Sequence, residues 1–172
     1  PLGKFGIRAG AFFAATDQFE ITVEGKGGHA AKPQETIDST LIASHVVVAL
    51  QSIASRNADP TDQVVVSVTS IESSSKAFNV IAQRVMLKGT VRTMSKDMRI
   101  LAETRLKALA TGTASAFGAL ADVNYIKGYP VMINSPEQTE FAAEVARSVS
   151  GDCAEAPLVM GGEDFAFMLE ER

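Results

Sequence analysis

DQFEITVEGK, residues Asp17 to Lys26, reads as a β-strand with one wet face and one dry face. Phe19, Ile21 and Val23 alternate with Gln18, Glu20, Thr22 and Glu24, the period of two that half-burial imposes. The strand runs into GKGGHAAKP, Gly25 to Pro33, whose three glycines and one proline punctuate a loop. Asp38 then stands as an N-cap for a helix in which Leu41, Ile42, Val46, Ala49, Leu50 and Ile53 recur at helical spacing through about Arg56. Asn57 to Asp62, with Pro60, is a turn. Val64, Val66 and Val68 open a second strand reaching Ile71, Ser73 to Ser75 is a loop, and Ala77 to Ile81 is a short extended piece. Val85, Leu87, Gly89 and Val91 alternate in a third strand. Ser95 caps a long helix with Met98, Ala102, Leu106, Leu109, Thr113 and Phe117 along one face, ended by Gly118, and Ala121, Val123 and Tyr125 make a fourth strand. The order strand, helix, strand, strand, helix, strand predicts an α+β fold, the split ferredoxin-like βαββαβ sandwich: a four-stranded antiparallel sheet with two helices on one face.

Beyond Tyr129 and Pro130 the pattern changes. Ser135-Pro136-Glu137 is a helix start with proline in the first helical position, and Phe141, Val145 and Val149 form an apolar stripe up to Gly151. A second short helix is expected over Asp164 to Glu171, after Gly161-Gly162, while the first sixteen residues form no convincing element. Both ends read as a helical flanking segment and a short leader belonging to a second domain that the middle interrupts. There is no internal repeat and no low-complexity stretch.

The 172 residues are about one domain's worth, and 46% of them are apolar, enough for a core. Sixteen Lys and Arg against 20 Asp and Glu leave a net charge of −4, with no basic cluster to attract nucleic acid or an anionic bilayer. Val46 to Leu50 is far shorter than the roughly 20 apolar residues of a membrane span, and no signal-peptide pattern opens the chain, so a cytoplasmic protein is expected. Cys153, the single cysteine, has no internal disulfide partner and suits a reducing compartment. Pro1 stands in place of an initiator methionine, as expected of either a processed or an excised piece. Two histidines, His29 and His45, are too few imidazole donors for a site holding two transition metals.

His29 sits in a glycine-flanked loop directly after a strand, where it reads either as a solvated loop histidine or as a donor to a developing oxyanion or a substrate carboxylate. His45, among Val46, Val47 and Val48 in the first helix, is assigned packing and no chemistry. Arg92 ends the third strand on the face of Met86, Lys88 and Thr90, either as an exposed strand-end arginine or as a planar fork for a carboxylate. Asn79, between Phe78 and Val80, either satisfies a turn or orients a carbonyl or carboxylate. In MGGEDF, Met160 to Phe165, the backbone of Gly161 and Gly162 could meet an anion, with Glu163 and Asp164 in capping or supporting roles. Cys153 has no nearby histidine in sequence and no case as a nucleophile.

Taken together, GKGGHAAKP around His29, FNVIA around Asn79, GTVRT around Arg92 and MGGEDF around Glu163 resemble the metal-dependent aminoacylase and carboxypeptidase superfamily, most closely its hippurate hydrolase and N-acyl-amino-acid amidohydrolase branch. The resemblance implies that residues 13–128 are a lid that mediates homodimerisation, residues 1–12 the end of one catalytic-domain segment and residues 129–172 the start of the next. It implies that His29 stabilises a tetrahedral intermediate in the partner subunit's active site, that Asn79 and Arg92 contact the substrate carboxylate and carbonyl, and that Gly161 and Gly162 line the substrate pocket. The family's two divalent metal ions, zinc, manganese or similar, have their ligands and catalytic glutamate upstream and downstream of the stretch matched here, so no metal is expected in this chain alone.

For an intact parent the resemblance implies hydrolysis of the amide bond of an N-acyl amino acid or small conjugate by metal-activated water, in a homodimer without nucleic-acid or membrane partners. The 172-residue chain by itself is expected to turn over negligibly. The competing class is a non-enzymatic oligomerisation module, a ferredoxin-like sandwich pairing its edge strand with a second copy. A ligand-sensing domain of the same fold is a third reading.

Overall fold

The computed structural model describes residues 3–171. Along the chain lie β1 (Phe5–Ile7), β2 (Gly10–Phe13), β3 (Ala15–Glu24), β4 (Gly28–His29), α1 (Ser39–Leu50), β5 (Val64–Ser73), β6 (Val80–Ile81), β7 (Arg84–Thr93), α2 (Lys96–Ala116), β8 (Leu120–Lys127), β9 (Met132–Asn134), α3 (Pro136–Ser150), β10 (Cys153–Glu155) and α4 (Phe165–Glu170). The predicted sandwich is present: the sheet order is β5, β7, β3, β8, every neighbouring pair is antiparallel, and α1 and α2 cover one face.

Alternation along the two central strands sorts the side chains. Ala15, Asp17, Phe19, Ile21 and Val23 of β3, with Val85, Leu87, Gly89, Val91 and Thr93 of β7, turn toward the helices and are buried. Gly89 holds its central position because Phe19, its ladder partner, fills the space above it: a Cβ there would meet the Phe19 ring and the Ser67 carbonyl. Phe19, Ile21, Leu87 and Leu106 are all but fully buried, each contributing about 1.5–3 kcal/mol of transfer free energy. The opposite face of the sheet carries Thr16, Gln18, Thr90 and Arg92.

Both predicted caps form. The Asp38 carboxylate accepts from the amides of Thr40 (2.9 Å) and Leu41 (3.1 Å), and the Ser95 hydroxyl accepts from the Met98 amide at 3.1 Å. The buried stripes differ from those read off the sequence. On α1 the buried line is Ile42, Val46 and Leu50, continued by Ile53, whereas Leu41 is exposed and Ala49 only partly buried. On α2 it is Met98, Ala102, Leu106, Ala110 and Ala114, a run of strict fourfold spacing, with Leu109 only partly buried and Phe117 exposed. Small alanines let α2 approach α1 and the sheet, so the closest packing follows them and leaves the larger side chains at its margin. His45 stacks on Phe117 with ring centroids 4.9 Å apart, the packing role expected of it.

The first sixteen residues correct the expectation that they form no element. β1 pairs in parallel with β10, β2 pairs antiparallel with β9, and β3 already begins at Ala15. Both partners lie far downstream, and strands of three or four residues carry too little alternation to show in the sequence. The last helix is shorter than expected, Phe165–Glu170, and the Asp164 side chain makes no capping bond. No helix among the described residues is long and apolar enough to cross a membrane.

Candidate active site

Arg92 and Gly162 share a cavity of about 420 Å³ on the helix-free face of the sheet, with Thr16, Gln18, Ile126 and Tyr129 among its walls. β3 places Thr16 directly opposite Arg92, so the guanidinium stands at the end of the ladder where the chain leaves the sandwich. Among the described residues no carboxylate pairs with Arg92, and its nearest polar contact is a long one, 3.4 Å to the Val91 carbonyl. The glycine turn is fixed by backbone bonds: the Ala14 amide donates to the carbonyls of Val159 (3.1 Å) and Gly161 (3.0 Å). Gly162 has no room for a side chain, since a Cβ would collide with the Thr16 methyl and approach the Tyr129 ring to 2.9 Å, while a Cβ at Gly161 would make only ordinary contact with Val159 at 3.5 Å. Glu163 accepts weakly from the Phe165 amide at 3.4 Å, and Asp164 is exposed.

His29 and Asn79 lie together elsewhere. β4 and β6 pair with His29 opposite Val80, and the Ala30 amide donates to the Asn79 carbonyl at 2.9 Å. His29 is exposed, and its Nδ1 accepts from the Ala31 amide at 3.1 Å. An imidazole that accepts at Nδ1 carries its proton on Nε2, so the ring presents an N–H outward. Asn79 is also exposed.

The two groups stand at opposite ends of one ladder. β3 and β7 run in register from Thr16 opposite Arg92 to Glu24 opposite Arg84. Those eight steps span about 26 Å at about 3.3 Å per residue. His29 and Asn79 lie beyond the far end, so in one copy neither reaches the Arg92 cavity.

Sequence reasoning missed the group that ties the cavity to the sandwich. Asp17 is 1% exposed and accepts from Arg99 Nη2 (2.6 Å) and Nε (2.9 Å), from the Tyr125 hydroxyl (2.8 Å) and from the Gly128 amide (3.1 Å). Arg99 also donates to the Gly128 carbonyl at 3.0 Å, and next in the chain the Thr16 amide donates to the Tyr129 carbonyl at 2.9 Å. Burial alone would raise the Asp17 carboxyl, but the bonds from Arg99 and Tyr125, the guanidinium charge and the Gly128 amide outweigh it and hold the group below the usual carboxylate range. The same bond to Asp17 raises Arg99, and burial followed by the Asp17 bond raises Tyr125. The signal was present in DQFEITVEGK: Asp17 lies on the parity of Phe19, Ile21 and Val23, and a carboxylate on a buried face requires a cation.

Comparison with known proteins gives the chain and its fold a lineage. Residues 16–115 match the model of the M20 peptidase dimerisation domain. The chain belongs to that family. Over 172 residues it is 39% identical to an N-acetyldiaminopimelate deacetylase of Bacillus pumilus, covering 99% of this chain and 46% of that protein. It is 34% identical to an N-acetylcysteine deacetylase of Bacillus subtilis, covering 99% and 45%. The YXEP protein of Bacillus subtilis, a dinuclear metal binding peptidase from the M20 family, superimposes with a TM-score of 0.80 at 29% identity over 99% of this chain and 42% of that one. A crystal structure from methicillin resistant Staphylococcus aureus superimposes with a TM-score of 0.90 at 30% identity, covering 99% and 44%. The chain thus spans less than half the length of these M20 relatives.

The described part of this M20 chain does not fit a metal pair. No three His, Cys, Asp or Glu side chains among the described residues come together to hold an ion. His29 sits on β4, His45 is exposed and stacked on Phe117, and the most buried carboxylate, Asp17, is saturated by Arg99, Tyr125 and Gly128.

Proposed function

We propose that this chain is the lid of a homodimeric, metal-dependent amidohydrolase that cleaves the amide bond of N-acyl amino acids or related small conjugates. Residues 13–128 form the lid, and residues 1–12 and 129–172 belong to a catalytic domain whose two divalent metals are ligated by chain outside this sequence. The observation that carries the proposal is the split of the candidate residues between the two ends of the β3–β7 ladder. One copy holds an unpaired guanidinium in a cavity, and an imidazole with an outward N–H stands where only another molecule can use it.

In this reading Arg92 receives the substrate carboxylate with its planar fork, and the Gly161-Gly162 turn lines the same pocket, supported by Glu163 and Asp164. His29 of the other copy donates its Nε2 proton to the oxyanion formed at the scissile carbonyl, and Asn79 orients that carbonyl. The surface for the second copy is the β5 side: β5 is an edge strand with Val65 and Ile71 exposed, and the neighbouring α1 exposes Leu41 and Val48.

The test is complementation in the intact parent. His29→Ala is expected to lower kcat by about 10²–10³ with dimerisation retained, the usual cost of one oxyanion donor. Arg92→Ala is expected to raise KM. Co-expressed His29→Ala and Arg92→Ala subunits form heterodimers in which one composite site is intact, so activity returns. Failure to complement places both groups in one copy and refutes the arrangement, and unchanged turnover in His29→Ala favours the oligomerisation module instead.

A further inference from the structure

The turn from Ala77 to Val80, closed by a bond from the Val80 amide to the Ala77 carbonyl at 3.4 Å, has Phe78 and Asn79 at its tip. Phe78 is 108% exposed, more than any other large apolar side chain described. Tight turns ordinarily take Gly, Pro, Asn, Asp or Ser, and a fully hydrated phenyl ring contributes nothing to this chain's own folding. The ring is therefore available to something outside the chain, and its position says what. Phe78 adjoins Asn79, whose carbonyl is bonded to Ala30, and the next residue, Val80, is in register with His29. The ring sits on the same turn as the Asn79 amide, and the backbone of that turn is paired with the strand that carries the His29 imidazole, the two groups assigned above to the other copy's site. The cavity that would receive them already has an apolar side, where Ile126 (43% exposed) and Tyr129 (40% exposed) flank Arg92.

We propose that Phe78 is a specificity-determining residue that packs against the acyl group of a substrate bound in the other copy, selecting acyl groups with an apolar body such as aroyl or branched acyl over acetyl. The inference rests on the two-copy amidohydrolase reading, and the direction follows from it. Arg92 fixes the carboxylate end, His29 meets the carbonyl from the opposite side, and the acyl group extends from that carbonyl away from the carboxylate. The side chain next to Asn79 on the incoming turn meets that end of the substrate.

The experiment is a comparison of kcat/KM in the intact parent for N-benzoyl and N-acetyl forms of one amino acid, with Phe78→Ala, Phe78→Leu and His29→Ala. Phe78→Ala is expected to lower the benzoyl-to-acetyl ratio about tenfold or more, within the range an apolar pocket contact supplies, and Phe78→Leu to recover part of it. Phe78 makes no buried contact within this chain, so the fold of the sandwich should be unaffected, and sedimentation checks that dimers remain. A ratio changed by less than about threefold while His29→Ala abolishes turnover overturns the role of Phe78 and leaves the amidohydrolase reading standing. Unchanged turnover in His29→Ala overturns that reading and this inference with it.

Discussion

Replacing Asp17 by Asn tests whether the buried pair with Arg99 anchors the end of the sandwich. The substitution keeps the shape and removes the charge facing a guanidinium whose side chain is only 15% exposed. Breaking a buried ion pair from one side costs about 3–5 kcal/mol, because the other charge is left uncompensated. Arg99 keeps its bond to the Gly128 carbonyl and asparagine keeps one acceptor, so the lower end applies, about 3 kcal/mol. For a chain of this size that corresponds to a fall in Tm of about 6–12 °C. Urea unfolding followed by far-UV circular dichroism measures it, with Asp17→Leu/Arg99→Met as the control that removes both charges and should lose less than Asp17→Asn alone. A loss below about 1 kcal/mol, or a double variant no better than the single one, refutes the argument. The pH dependence gives a second check. The folded Asp17 pKa lies below its ordinary 3.8, so the stability it contributes is complete above about pH 4 and disappears as pH falls through the lower folded value. The acid limb of the stability curve should flatten in Asp17→Asn.

Other outcomes follow from the same contacts. Tyr125 is raised in the fold, so its contribution is present below its ordinary 10.0 and lost as pH rises above it; Tyr125→Phe should flatten the alkaline limb in a pH series of urea midpoints. Gly128→Ala puts a Cβ into the Thr16 carbonyl and should cost about 1–3 kcal/mol in urea unfolding by forcing the ladder end apart. Gly162→Ala collides with Thr16 in the cavity wall and, in the parent, should raise KM more than it changes kcat. Arg92→Lys keeps the charge but loses the planar fork, and should raise KM for a carboxylate substrate by about tenfold or more.

The sandwich was legible because its signals are local. Alternation in β3, β5 and β7, the Asp38 and Ser95 caps and the Gly118 stop each lie within a few residues of what they determine. The misreadings have one physical cause. β1, β2 and their partners are held by pairing across nearly the whole chain, and α2 seats on Ala110 and Ala114 because of what lies opposite, which no window of sequence contains. Asp17 is the exception, a long-range contact that did leave a local trace as a carboxylate on the buried parity of a strand.

The site residues were legible as chemical types, and the sequence also contained more of their geometry than their types suggest. His29 follows the end of β3, whereas Arg92 closes β7, and antiparallel neighbours place the end of one strand beside the start of the other. Two ten-residue strands paired throughout therefore separate those side chains by the length of the sheet. Bending a single copy to unite them would break the ladder that holds the sandwich together. The proposed twofold arrangement would bring the far end of one sheet to the cavity of the next without breaking either ladder, and would do so twice, once for each copy. On the two-copy reading proposed above, the dimer that the name of the M20 dimerisation domain implies would serve the chemistry as well as the assembly, because the imidazole of a lone protomer would have no carbonyl to act on.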